Sequence, residues 1–108
     1  MGEVKREDVI PQMAEFYMQI EGVEWGVVSG LCGDMVVISV RNVGHVKSAG
    51  DIMKRLFDKI GSAGGHRAMA KAVIPLERFK ERFGEVSERV IREAMVPLIT
   101  QREDEWND

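Results

Sequence analysis

The chain has 108 residues, enough for one domain around one buried core. Apolar residues make up 44% and charged residues 31%, a balance that excludes a disordered chain. The formal charge of −3 argues against a nucleic-acid binder working by bulk electrostatics, so any phosphate site has to be built locally. Cys32 is the single cysteine and cannot form an intrachain disulfide, which makes a reducing cytoplasm the simpler expectation. The longest apolar runs, such as Met35 to Val40, fall far short of the roughly 20 residues of a membrane helix. Residues 1–6 lack the apolar stretch of a signal peptide.

From Asp8 to Ile20, Val9, Ile10, Met13, Phe16, Tyr17 and Ile20 recur at helical spacing, which predicts a first helix within 8–21. Two runs of β-branched and apolar residues follow, Val23 to Ser29 and Met35 to Arg41. Gly30 to Asp34 supply turn chemistry between them, so a hairpin is expected. Alternation in the second strand puts Val36, Ile38 and Val40 on one face and Val37, Ser39 and Arg41 on the other. Ser48, with Asp51 three residues on, predicts a capped helix. Its apolar stripe is Ile52, Met53, Leu56, Phe57 and Ile60, and Gly61 suits a left-handed stop.

Between Arg67 and Ile74, Ala68, Ala70, Ala72 and Ile74 alternate, as in a strand beneath a closely packed helix. Pro75 closes that segment. Helices are expected over Leu76 to Phe83 and from Glu85 to about Gln101, within 77–102, with Pro97 kinking or interrupting the last. The expected fold is α/β or α+β: a small mixed sheet of four to five strands packed with helices, in a single domain over 1–108.

Cys-x-x-Cys, His-Glu-x-x-His, the phosphate-binding Gly-x-x-x-x-Gly-Lys-Ser/Thr and Gly-x-Ser-x-Gly are all absent. His45 and His66 are the only histidines and have no metal-ligand spacing around them, so no metal or cofactor is expected in this chain. The densest feature is Gly61 to Arg67. Its glycines would let successive backbone amides converge on an anion, with His66 and Arg67 adding charge-assisted bonds. Glycine content alone favours a plainer reading, a helix stop and an ordinary turn. Arg41 has a plain reading too, as a charge that protects an edge strand. With His45, Lys47, Arg67 and Lys71 these residues form a candidate basic patch. Trp25, on an apolar strand face with Val23 and Val27, reads as core.

The order of these features carries a resemblance. Ser39-Val40-Arg41-Asn42 ends a hairpin, a capped helix follows, and Ala63-Gly64-Gly65-His66-Arg67-Ala68-Met69-Ala70-Lys71 runs into an alanine-rich strand. Over roughly residues 22–76 this resembles the DHH-associated C-terminal domain of DHH phosphoesterases. That family includes RecJ-like exonucleases, nanoRNase-like oligoribonucleases, nucleotide phosphatases and cyclic dinucleotide phosphodiesterases. The chain departs from the family pattern at Ala63, Asn42, Met69 and Lys71, where a glycine, a serine and small residues are usual.

The resemblance implies that Arg41 grips a substrate phosphate, that Gly64, Gly65 and His66 line the same pocket, and that Ser39 and Arg67 contribute to it. It implies a nucleotide or short single-stranded nucleic acid as ligand, and an N-terminal DHH catalytic domain as partner. A divalent metal, manganese, would sit in that other domain, and this chain alone would be inactive. A homodimer is left open. The alternative is a stand-alone RNA-binding or dimerisation module, like the related domain of alanyl-tRNA synthetases, where the glycine-rich turn usually lacks the histidine found here as His66.

Overall fold

The computed structural model describes residues 13–43 and 48–101. The elements are β1 (Met13–Ile20), β2 (Val23–Cys32), β3 (Met35–Val43), α1 (Ala49–Phe57), β4 (Ser62–Gly65), β5 (Met69–Pro75), α2 (Leu76–Phe83) and α3 (Glu88–Thr100). The strands form one sheet in the order β1-β2-β3-β5-β4. Every neighbouring pair is antiparallel, so the fold is α+β and the expected mixed sheet is corrected. The connections give the reason. Helix α1 returns the chain to β4 at the sheet edge, running the same way as β3, and β5 then turns back into the gap between them.

The predicted first helix is overturned wherever it falls on described residues, because Met13–Ile20 is strand β1. Residues 8–12 of that prediction lie outside the described residues. Phe16 and Met18 are buried while Glu15, Tyr17 and Gln19 are exposed, the period of two that a half-buried strand requires. Ile20 pairs with Val23, leaving a two-residue loop of Glu21 at φ 53° and Gly22 at φ 81°. Positive φ at both positions is the type I′ turn, whose twist matches that of a hairpin. Phe16, Tyr17 and Ile20 also fit a helical period with Gly22 as its stop, but buried Met18 and the positive φ of Glu21 and Gly22 belong to a hairpin.

One face of the sheet is the core. Trp25, Val27, Val36, Ile38, Val40 and Ile74 are almost wholly buried there, and the helices cover them with Ile52, Met53 and Phe57 of α1, Phe79 of α2, and Ile91 and Met95 of α3. Phe57, Phe79 and Phe83 form an aromatic cluster in which Phe79 and Phe83 lie 4.8 Å apart between ring centres. Arg92 of α3 places its guanidinium 4.8 Å from the centre of the Phe16 ring, tying the last helix to β1. The alternation expected in β3 is observed, and in β5 it holds for Ala70, Ala72 and Ile74, with the alanines small enough to admit α1. Ala68, by contrast, is exposed and precedes the strand, which starts at Met69.

Helix α1 starts as expected, with Ser48 Oγ accepting from the Asp51 amide at 3.3 Å. Its stop differs from the expectation. The helix ends at Phe57, Ile60 and Gly61 donate back to the Phe57 carbonyl, and Gly61 is not left-handed. Gly61 is needed for another reason, since a Cβ there would lie 2.5 Å from the Val73 carbonyl oxygen. Pro97 does not end α3, which continues to Thr100, where the Thr100 hydroxyl donates to the Val96 carbonyl at 3.0 Å. No helix among the described residues is long and apolar enough to cross a membrane.

Candidate functional site

The opposite face of the sheet carries the exposed side chains of Glu15, Tyr17, Ser39, Arg41 and Lys71. Register brings them together. Tyr17, Gly26, Arg41 and Met69 form one row across four strands, and Glu15, Val28, Ser39, Lys71 and Gly64 form the next row on the same face. These residues, with Gly65 and His66, line a cleft of about 530 Å³. Thus Ser39, Arg41, Gly64, Gly65 and His66, singled out from widely separated positions in the sequence, border a single cavity. Arg67 is exposed and is not among the residues lining it. His45 and Lys47 lie outside the described residues.

The glycine-rich segment differs from the concave turn expected from its composition. Ser62–Gly65 is a strand, with Gly64 opposite Lys71 and Gly65 opposite Ala70, and the His66 amide donates to the Met69 carbonyl at 2.9 Å. Its backbone is extended and paired with β5 on one side instead of curling into a nest, and toward the cleft it presents the His66 side chain and the open floor at Gly64. A Cβ on Gly64 would meet nothing within 4 Å, so packing does not require that glycine. Gly65 differs: it holds φ at 149°, and a Cβ there would lie 2.5 Å from both Ala70 Cα and the Met69 carbonyl oxygen.

Helix α1 sets the position of His66. The amides of Ala49 and Gly50 donate to the carbonyls of Arg67 and His66, each at 2.9 Å. With the Asp51 amide held by Ser48 Oγ and the Ile52 amide by the Ser48 carbonyl, the first turn spends its amides within the protein. Buried Asn42 adds a strap: its amide donates to the Ala68 carbonyl at 3.0 Å and its Nδ2 to the Arg67 carbonyl at 3.1 Å. Asn42→Ala is expected to cost about 1 kcal/mol, because the Arg67 carbonyl keeps its bond from Ala49. Chemical denaturation will give that value, and hydrogen exchange should show faster exchange around His66.

Tyr17 and Glu15 were not recognised as site residues, because the helical reading of β1 hid the face they share. Alternation along Glu15, Tyr17 and Gln19 is the signal that could have revealed it. The Tyr17 hydroxyl donates to Glu15 Oε2 at 2.7 Å. That hydrogen bond, and the carboxylate charge behind it, raise the Tyr17 phenol above its ordinary value of 10.0, with Arg41 pulling weakly the other way. Tyr17 is the only tyrosine, so its ionisation can be followed alone by absorbance near 295 nm. The midpoint should lie above 10.0 and move down in Glu15→Gln. Because the folded-state value is the raised one, stability from this pair is complete below pH 10 and is lost as pH climbs through the folded-state midpoint.

Comparison with known proteins gives the family of the chain. The DHHA1 domain model matches residues 2–93. The chain belongs to that family, the DHH-associated C-terminal domains of DHH-family phosphoesterases. It is also 32% identical over 110 aligned residues to an uncharacterized protein of Methanocaldococcus jannaschii, MJ1633. The match covers 97% of this chain and spans 22% of that relative's length. No solved structure matches. DHHA1 domains usually accompany an N-terminal DHH catalytic domain, which associates this chain with phosphoesterases at the level of class.

Proposed function

We propose that this domain binds the phosphate of a nucleotide or short single-stranded nucleic acid and presents it to a DHH catalytic domain for hydrolysis. The observation that carries the reading is the convergence of Ser39 and Arg41 from β3 with Gly64, Gly65 and His66 on one cleft. Arg41 supplies a planar, permanently charged donor fork suited to phosphate oxygens. Ser39 and His66 add polar groups, Lys71 adds positive charge, and Gly64 leaves the floor open for close approach. This local grouping of cations supports phosphate binding in a chain whose formal charge is −3.

Among the described residues no three His, Cys, Asp or Glu side chains gather as a metal site would need. No hydrolytic step is assigned to these residues. The divalent metal, manganese in this reading, belongs to the catalytic domain, where it would generate the attacking hydroxide. The reading places the pair in the cytoplasm, a setting that the single cysteine suits.

Calorimetry of this chain with a 5′-mononucleotide and with the matching nucleoside tests the binding role. Binding of the mononucleotide with a clear loss on removing the phosphate is expected. Equal binding of the two, or preference for long structured RNA alone, would support the RNA-binding module instead. Concentration-dependent self-association with no ligand binding would support a dimerisation module. In a phosphodiesterase assay with manganese the isolated chain should show no turnover, and robust turnover would overturn the division of labour.

A further inference from the structure

The cleft is not uniform in charge, and its far end holds an aromatic ring. Arg41 on β3, Lys71 on β5 and His66 after β4 make one end cationic, whereas the β1 end carries Glu15 and Tyr17. Tyr17 is 62% exposed, although it lies beside the cleft floor in direct register with Gly26. A Cβ on Gly26 would stand 3.2 Å from Tyr17 Cε1, so the ring leans across β2 into the notch that this glycine leaves. Glu15 Oε2 accepts from the phenol, which anchors the ring at its far edge. An aromatic side chain in a hairpin can lean on a glycine for structural reasons alone. What structure alone does not require is a ring left mostly exposed, bordering the same cavity as Arg41.

We infer that Tyr17 is a stacking platform for the ligand's nucleobase, and that the cleft takes its ligand with phosphate toward Arg41, Lys71 and His66 and base over β1 and β2. This inference rests on the phosphate-binding reading of the cleft and adds an orientation and a preference for base-bearing ligands to it. Tyr17 and Arg41 stand in one row with β2 between them, two strand spacings or roughly 10 Å apart along the sheet. That is the backbone separation, and with the ring leaning over β2 toward Arg41 a base stacked on it lies within a nucleotide's length of the guanidinium. Glu15 favours the same orientation, because its carboxylate repels phosphate from the β1 end. Gly26 lies beneath the ring and Val28 lines the same cleft, so the base would meet the exposed ring on an apolar surround. Stacking on an aromatic ring tolerates any base, so the platform selects nucleotides over sugar phosphates without reading sequence.

Adenosine 5′-monophosphate and ribose 5-phosphate are the probes, titrated into this chain by calorimetry with the base protons of the former followed by NMR. The nucleotide should bind on the order of ten-fold more tightly than the sugar phosphate, the scale of one base stack. Its base protons should move upfield on binding, as protons over a ring face do. Tyr17→Leu should bring the nucleotide down to the affinity of the sugar phosphate and abolish the upfield shift, while Tyr17→Phe should retain both. Arg41→Ala should weaken both ligands alike. Equal affinities in the unaltered chain, or a Tyr17→Leu loss shared by both ligands, would overturn the platform and leave the phosphate site standing. Failure of both ligands to bind, or indifference of both to Arg41→Ala, would overturn the phosphate site and the platform with it.

Discussion

Gly65→Ala should lower the stability of this domain by about 2–5 kcal/mol, whereas Gly64→Ala should change it by only about half a kcal/mol. The two glycines are adjacent and both line the cleft, yet they are glycine for different reasons. At Gly65 a methyl group would lie 2.5 Å from Ala70 Cα, on a backbone whose φ of 149° L side chains rarely adopt. Neither conflict can be relieved by rotating a side chain, because the neighbours are backbone atoms of β5. At Gly64 the same methyl meets nothing within 4 Å and projects into the cleft. Thermal unfolding should separate them, at about 4–8 °C per kcal/mol for a domain of this size. Ligand titration should reverse the ranking of interest: Gly64→Ala folds normally and binds phosphate ligands more weakly, because the methyl occupies the floor.

Arg41→Ala should cost about 1.5–3 kcal/mol of affinity for a phosphate ligand, the range for hydrogen bonds with a charged partner. Folding stability should stay within about 0.5 kcal/mol, since the side chain is exposed at the sheet surface. Arg41→Lys should recover only part of the loss, because a point charge replaces a fork that engages two oxygens at once. The pattern separates recognition from general attraction. If lysine restored full affinity, positive charge alone would account for Arg41's effect. Calorimetry at two salt concentrations measures this directly, and the arginine contribution should persist at the higher one if it is a bonded contact rather than a screened field.

Much of the central sheet was legible from local chemistry. Gly33 and Asp34 mark the β2–β3 hairpin, Ser48 and Asp51 mark the start of α1, and alanines at alternate positions mark β5. Two things escaped: an alternation in β1 that a helical period masks, and close approach between elements, which local patterns do not encode. Phe16, Tyr17 and Ile20 satisfy a helical period as well as a strand does, so β1 and the face bearing Tyr17 and Glu15 were misread. Gly50, in the first turn of α1, shows the limit set by close approach. A Cβ at Gly50 would lie 2.8 Å from the Gly65 carbonyl oxygen, so this glycine lets α1 sit against the β4–β5 hairpin and hold His66.

The candidate site residues were singled out for a different reason. Spacing and composition raised Arg41 and the glycines only to an anion site competing with a plain turn, and the family resemblance joined them. In the fold the glycine-rich segment is an extended edge strand, so the proposed phosphate contacts shift from amides in a turn toward side chains on the sheet face. Arg67 is exposed and is not among the residues lining the cleft, and its backbone carbonyl accepts from Ala49 and Asn42.

The most direct test of the central claim is amide chemical-shift mapping with a 5′-mononucleotide added to this chain. Perturbations should concentrate at Ser39, Arg41, Gly64, Gly65, His66 and Lys71, away from the described helices, and be lost in Arg41→Ala. Perturbations centred on α2 and α3 instead, or a pattern unchanged by Arg41→Ala, would contradict it.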